Sequence, residues 1–552
     1  MEVFGGERVR REDFEMTMLR LLAILCLALS ALAPAQQRPV QVLPPGTVIE
    51  GEVGRLEGTE VLVKDIMARP EPQTVMRKRF KKEPVAPTLP VLPSWVTPRQ
   101  GPEQMIQTVG DQTQALFSIS STFKGSVDNN QSIPPDTCGA VGPTQIIVAT
   151  NDRIQLYNKS GVLQSGVLDT TLNSFFSSVG SGLFDPRVKY DRLAQRWYIV
   201  AVDGAFAASA SILVAVSSGP TITNSTSFTF YSINASTVAP GEWFDYPILG
   251  MDEDGVYVTT NNFTNAGAFV ATNVFSIRKS TLPGTLNFVR FVTSGFSLAP
   301  ADNDQTGTSV AHLVNQGWSN GTDYFFRFYT INNPGSGSET FTVGNFVQVN
   351  PYSTSGMGNV VPQSGTATGL QGNDPRLGGG AYMRRNPVTG TWTLVTSHHF
   401  GPVALRSRFY EFDNMGGATP TLRQQGNLGS GAGRNYWFPS VAMNGQGHIV
   451  MASSASDSGI FASVNVAARL VNDTLGNLTF NNIAFAGLAK YVKDFGSGQN
   501  RWGDYSETCV DPNDNQTFWA FQTYAEAQVS GWDRWGVRVV KVLAPPPATI
   551  ST

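Results

Sequence analysis

The chain has 552 residues, of which 41% are apolar and only 15% are charged. That apolar content excludes wholesale disorder. The 39 basic and 42 acidic residues give a net charge of −3, which excludes the basic field of a nucleic-acid binder. With 55 glycines and 11% aromatic residues, the low charge density reads as an all-β chain with many turns.

Residues 19–32 read LRLLAILCLALSAL, and Ala33-Pro34-Ala35 follows as a small-x-small cleavage signal. Residues 1–35 are therefore expected to be a secretory signal peptide. Met16 and Met18 are alternative starts that would remove the acidic residues ahead of it. No later apolar stretch approaches the roughly 20 residues of a membrane-spanning helix. The mature protein is expected to be monomeric and exported to the periplasm, the cell surface or the medium.

Residues 36–112 read as a Pro-rich linker, extended and not packed. Within it, residues 48–65 (VIEGEVGRLEGTEVLVKD) are expected to form a small hairpin. Arg77, Lys78, Arg79, Lys81 and Lys82 make a basic cluster. As part of a solvated linker it needs no function; attachment to an anionic polymer or processing is the functional alternative.

Residues 113–544 carry a recurring pattern, and residues 545–552 form a tail. An apolar strand runs into a tight polar turn and a second strand leaves it. Copies begin at Cys138, Arg187, Ile248, Gly379, Ser440 and Glu507, with a weaker one at Val310. Each is followed by further strand-like runs, such as ASILVAVSS and WGVRVVKVL. Four strands per copy at about 60 residues predict a seven-bladed β-propeller. Residues 117–124 (FSISSTFK) precede the first copy and are positioned to close the ring on the last. Closure would hide the sheet edges.

In a propeller, side chains just ahead of each innermost strand converge at the channel mouth. Here those positions hold Asp136, Asp185, Asp245, Tyr246, Asp374, Arg376, Arg501, Trp502, Asp504 and Tyr505, with Arg434, Tyr436 and Trp437 nearby. Such a set suits a hard cation such as Ca²⁺, a sugar stacked on aromatics, or an acid/base pair. Equally, an Asp ahead of a strand caps backbone N–H groups, and repetition alone would reproduce it. No catalytic residue or metal ligand is singled out. His398 and His399 are adjacent and lack zinc spacing. The turns at residues 252–255 (DEDG) and 511–515 (DPNDN) are fragments of calcium loops that serve equally as hairpin turns.

PPDTCGAVGP (134–143), RWGDYSETCVDP (501–512), YDRLAQRW (190–197) and DPRLGGGAYMRRN (374–386) resemble signatures of a group of secreted bacterial β-propeller proteins, distantly sialidase-like in shape. The resemblance spans about residues 117–541. It implies fold and export, and no activity. Sialidases proper carry an arginine triad and an Arg-Ile-Pro signature; the latter is missing here, and no spacing selects Arg187, Arg376 and Arg501 as the triad. Cys138 and Cys509 stand where the group is expected to have small or polar residues. They also occupy comparable places in the first and last copies. A ring-closing disulfide between them is the expectation, with a typical stabilisation of about 2–4 kcal/mol.

The resulting expectation is a binding or scaffold module recognising an extracellular glycan or protein at the channel mouth. A glycan-active hydrolase or lyase using the same face is the alternative. A purely structural envelope protein is a third class. Two carboxyls about 5–9 Å apart beside a cleft would favour hydrolysis, and a plugged mouth would favour binding.

Overall fold

The structure, a computed structural model, describes residues 41–71, 79–80, 91–96, 98, 117–207, 209–353, 357–401, 404–417, 419–429 and 433–546. The signal peptide and most of the basic cluster lie outside the described residues. Among the described residues, no helix is long and apolar enough to cross a membrane.

The described residues contain seven four-stranded antiparallel meanders. Their first strands are Cys138–Val141, Phe184–Asp191, Glu242–Met251, Ala299–Asn303, Ala381–Arg385, Asn435–Met443 and Glu507–Val510. The second unit is representative: Phe184–Asp191, Arg196–Val202, Ser211–Ser217 and Ser227–Asn234 follow one another across the sheet. Each first strand lies against the first strand of the next unit, and the seventh lies against the first. Ser118–Val127 supplies the fourth strand of the seventh unit by pairing with Trp532–Leu543. The start and end of the body are thereby joined in one sheet, as residues 117–124 led us to expect.

This arrangement explains the strand sequences. A sheet packed between two neighbours is buried on both faces, so its middle strands read as continuous apolar runs rather than alternating ones. Ser211–Ser217 (SILVAVS) and Gln145–Ala149 (QIIVA) are buried at every position. Polar side chains close the hairpin turns: Asp252 Oδ1 accepts from the N–H groups of Asp254 and Gly255 at 3.0 and 2.9 Å.

Three expectations need correction. The copy at Val310 is out of step: Val310–Ser319 and Tyr324–Asn332 are the second and third strands of their unit, after the short first strand Ala299–Asn303. The polar loop at 304–309 hides that first strand from pattern reading. Residues 48–65 form no hairpin. Val48–Glu50, Glu52–Glu57 and Thr59–Leu62 instead run as a belt, adding an outer strand to the fourth, third and second units in turn. Glycines make the belt possible. A Cβ on Gly58 would lie 2.3 Å from Thr229 Cγ2, and one on Gly54 would lie 2.1 Å from the Phe288 ring. Finally, Cys138 and Cys509 are free thiols. The neighbouring first strands place Cys138 beside Glu507, with Sγ 3.8 Å from Oε2, while Cys509 bonds to the Val141 backbone. The two sulfurs are thus staggered by two residues, a step of about 6.6 Å along a strand, and the bridge does not form.

Candidate functional site

Five units share the same kink, just ahead of the first strand in the first and fourth units and within it in the second, third and sixth. Asp136, Asp185, Tyr246, Ser297 and Phe438 have φ between 46° and 54°, each two residues ahead of Cys138, Arg187, Ile248, Ala299 and Ser440. In the second, third and sixth units the register shifts across this point. Positive φ at a non-glycine residue is costly. Its recurrence in units of different sequence assigns it to the architecture.

The kinks carry polar side chains inward. Asp136, Asp185 and Asp504 offer carboxylate oxygens that all lie within 4.8 Å of one another, and all three residues are buried. Asn151 bridges the first two: its Nδ2 donates to Asp136 Oδ2 at 2.6 Å, and its Oδ1 accepts the Asp185 N–H at 2.7 Å. Asp185 Oδ2 in turn accepts the Tyr246 N–H at 3.2 Å. Arg501 and Asn373 donate to Asp504 Oδ1 at 2.6 and 2.7 Å. The oxygen donor set is of the kind a hard cation prefers, and protein N–H groups already point into it.

Beneath the carboxylates, the Arg187 guanidinium lies 3.3 Å from the centre of the Tyr505 ring and 5.3 Å from that of Tyr246. Its Nε and Nη1 donate to the carbonyls of Pro247 and Gly378 at 2.8 and 2.9 Å. Tyr505 donates its hydroxyl to the Pro186 carbonyl at 2.9 Å. Burial pushes both phenols above their ordinary range, although Arg187 opposes it. One guanidinium therefore ties the second, third, fifth and seventh units together. Arg376 pairs with Asp374 and lies 4.5 Å from the Tyr246 ring. Burial opposes ionisation of Asp374, yet the Arg376 partner holds its carboxyl below the usual range.

Of the residues expected at a channel mouth, the structure brings Asp136, Asp185 and Asp504 together, and Tyr246 and Tyr505 around Arg187. Asp136, Asp185, Asp245, Tyr246, Arg376, Arg501, Trp502, Asp504 and Tyr505 are each at most 4% exposed. They are interior side chains and line no open mouth. Asp245 stands opposite Asn261 in the third unit, outside the three-carboxylate cluster. Trp502 donates to Ser454 Oγ at 2.9 Å and packs on Trp437 and Tyr491 in the core. Tyr436 is buried as well, and Arg434 pairs at the rim with Asp457 at 3.0 Å.

Sequence reasoning missed a second polar cluster further down the first strands. Lys189 Nζ donates to Asp302 Oδ2 at 3.1 Å and Glu507 Oε1 at 3.4 Å. Below it, Asp304 accepts from Arg384 at 3.0 Å and from the Tyr382 hydroxyl at 3.1 Å. Burial raises the Asp302 and Glu507 carboxyls despite Lys189. It also pushes the Cys138 thiol up to about 12. The available signal was the period of two along each strand, which puts Lys189 on the same face as Arg187. The Asp302 and Glu507 carboxyls bracket Lys189, both within hydrogen-bonding reach of its ammonium. The cavity they line holds only about 40 Å³. Ligand pockets hold roughly 300–1,000 Å³, so this space suits water and admits no sugar ring.

No protein-family model and no curated protein matches this sequence. Solved structures do resemble it in shape. A Penicillium chrysogenum α-L-arabinanase complexed with arabinobiose is 10% identical, covering 74% of this chain and 94% of its own, with a TM-score of 0.33. The N10 neuraminidase-like protein of A/little yellow-shouldered bat/Guatemala/060/2010 is 10% identical over 64% and 98%, with a TM-score of 0.33. An exo-β-1,3-galactanase from Clostridium thermocellum is 9% identical over 77% and 99%, with a TM-score of 0.30. No residue role is carried over from them.

Proposed function

We propose that this protein is an exported, seven-bladed β-propeller that works as a rigid binding module for an extracellular glycan or protein. The observation that carries this reading is the state of the axis. Asp136, Asp185, Asp504, Arg187 and Arg501 are buried and hydrogen-bonded to protein groups, so this polar set clamps the blades and the chemistry of recognition falls to the outer surfaces. A glycan-active enzyme needs two carboxyls facing a cleft that admits a sugar. The axis carboxylates face each other in the interior, and the pair around Lys189 faces a cavity of about 40 Å³.

The test is a glycan and protein array probed with the full chain, with and without Ca²⁺, followed by a turnover assay on whatever binds. Saturable binding without turnover is the expected result. Release of a cleaved product, lost on Glu507→Gln or Asp302→Asn substitution, would replace this reading with the enzymatic one.

A further inference from the structure

A groove of about 590 Å³ runs along the boundary of the first and second units. It lies among the turns at the far ends of the first strands, away from the Asp136 kink. Its lining carries no charged side chain: hydroxyls and amides come from Thr144, Gln164, Thr221, Asn224 and Ser225, beside the half-buried Val167, while the Ile222 side chain is buried. The volume falls within the roughly 300–1,000 Å³ of ligand sites.

The walls are fixed in advance. The buried Gln145 side chain donates from Nε2 to the Ile222 carbonyl and to Gln164 Oε1, both at 2.9 Å, and its Oε1 accepts the Ile222 N–H at 2.8 Å. Thr226 donates its hydroxyl to the Thr221 carbonyl at 2.9 Å. On the outer side the belt holds the same loop, with Lys64 N–H donating to the Asn224 carbonyl at 3.2 Å and Val63 N–H to the Thr226 carbonyl at 2.8 Å. The backbone of this loop is thereby held from both sides, while Thr144, Thr221, Asn224 and Ser225 remain exposed. A preordered loop binds without the cost of ordering it.

We infer that this inter-blade groove is the ligand site and that it takes a short stretch of a neutral, unsubstituted polysaccharide. The proposal rests on the binding-module reading above. Sugar hydroxyls both donate and accept, which matches side-chain amides and hydroxyls. The C–H face of a ring matches Val167, the partly exposed apolar side chain of the lining. An anionic polymer would find no cation in the lining, and an apolar ligand would strand its amides.

The experiment titrates the full chain with neutral oligosaccharides (β-glucan, xylan and mannan hexamers) and with an anionic control, oligogalacturonate. It compares wild type with Asn224→Ala and with Asn224→Arg, which fills the groove. At least one neutral hexamer is expected to bind wild type, with tenfold or greater weakening in Asn224→Arg, a smaller loss in Asn224→Ala, and unchanged melting temperatures. Neutral binding that both variants retain would overturn the groove while leaving a glycan-binding module in place. Binding of oligogalacturonate alone would overturn the neutral chemistry. No binding by any oligosaccharide would overturn the groove's ligand, and the array above then decides whether a protein is the partner.

Discussion

The axis and the groove between the first two units are both polar, and they differ in everything that decides function. At the axis, charged side chains from several units meet, and Asp136, Asp185, Asp504, Arg187 and Arg501 are buried and hydrogen-bonded to protein groups. In the groove, charge is missing from the lining, yet hydroxyls and amides stand exposed over a fixed backbone. Charged residues gathered at one point are thus a poor guide to a site. In a ring of sheets the axis is the place where every unit must be tied to the others, and buried ionic groups are tolerated there only when paired.

The contrast can be attacked first at the axis. Arg501→Met would leave Asp504 beside two other buried carboxylates without its guanidinium. A loss of about 3–5 kcal/mol is expected in denaturant unfolding, the usual range for breaking a buried pair. Asn224→Ala in the groove should stay within about 0.5 kcal/mol of wild type, as exposed substitutions do. Equal, small effects would mean that the axis is not a clamp.

The belt gives a middle case. Gly58→Val would drive its side chain into Thr229 and Tyr231, and overpacking of this kind costs about 1–3 kcal/mol. Limited proteolysis should then cut near residues 48–62 faster than in wild type, while the ring remains resistant.

A pH series sharpens the picture of the interior. His399 donates from Nε2 to the Gly372 carbonyl at 2.6 Å and accepts the Phe438 N–H on Nδ1 at 3.3 Å. Burial lowers its pKa to about 4, and burial does the same to His312. The unfolded imidazoles take up protons near pH 6.5. Stability present above that value is therefore lost as pH falls from about 6.5 towards 4. Asp152 and Asp203 act in the opposite sense. Burial raises both to about 6, so the cost of keeping them charged at neutral pH is relieved as the pH falls through 6. Urea midpoints of His399→Gln should fall less steeply below pH 6.5 than those of wild type, and those of Asp152→Asn more steeply.

The smallest expected effect belongs to the cysteines. Dithiothreitol should leave the unfolding midpoint unchanged, because Cys138 and Cys509 are free. The buried Cys138 thiol should also alkylate slowly, since burial holds it largely protonated.

Much of this was legible in the sequence. The hairpin copies marked six of the seven first strands, and among the residues ahead of them Asp136, Asp185 and Asp504 lie together. Burial was not legible, because Asp136 and Asp185 read the same whether they cap a strand at an open mouth or in the interior. The belt escaped because its alternating residues look like a hairpin until the sheet edges that receive them are known. The Ala299–Asn303 strand escaped because APADN is short and polar. The groove left no motif at all: Thr144, Gln164 and Asn224 are far apart in the chain and ordinary in type.

The most direct measurement is native-state hydrogen exchange at the Tyr246 amide, which donates to Asp185 Oδ2 at the axis. If the axis is a closed clamp, this amide should exchange only through global unfolding, with a protection free energy equal to that of the whole domain and matched denaturant dependence. Fast exchange through a local opening, at denaturant concentrations that leave the sheets intact, would show a mouth open to solvent and contradict the clamp.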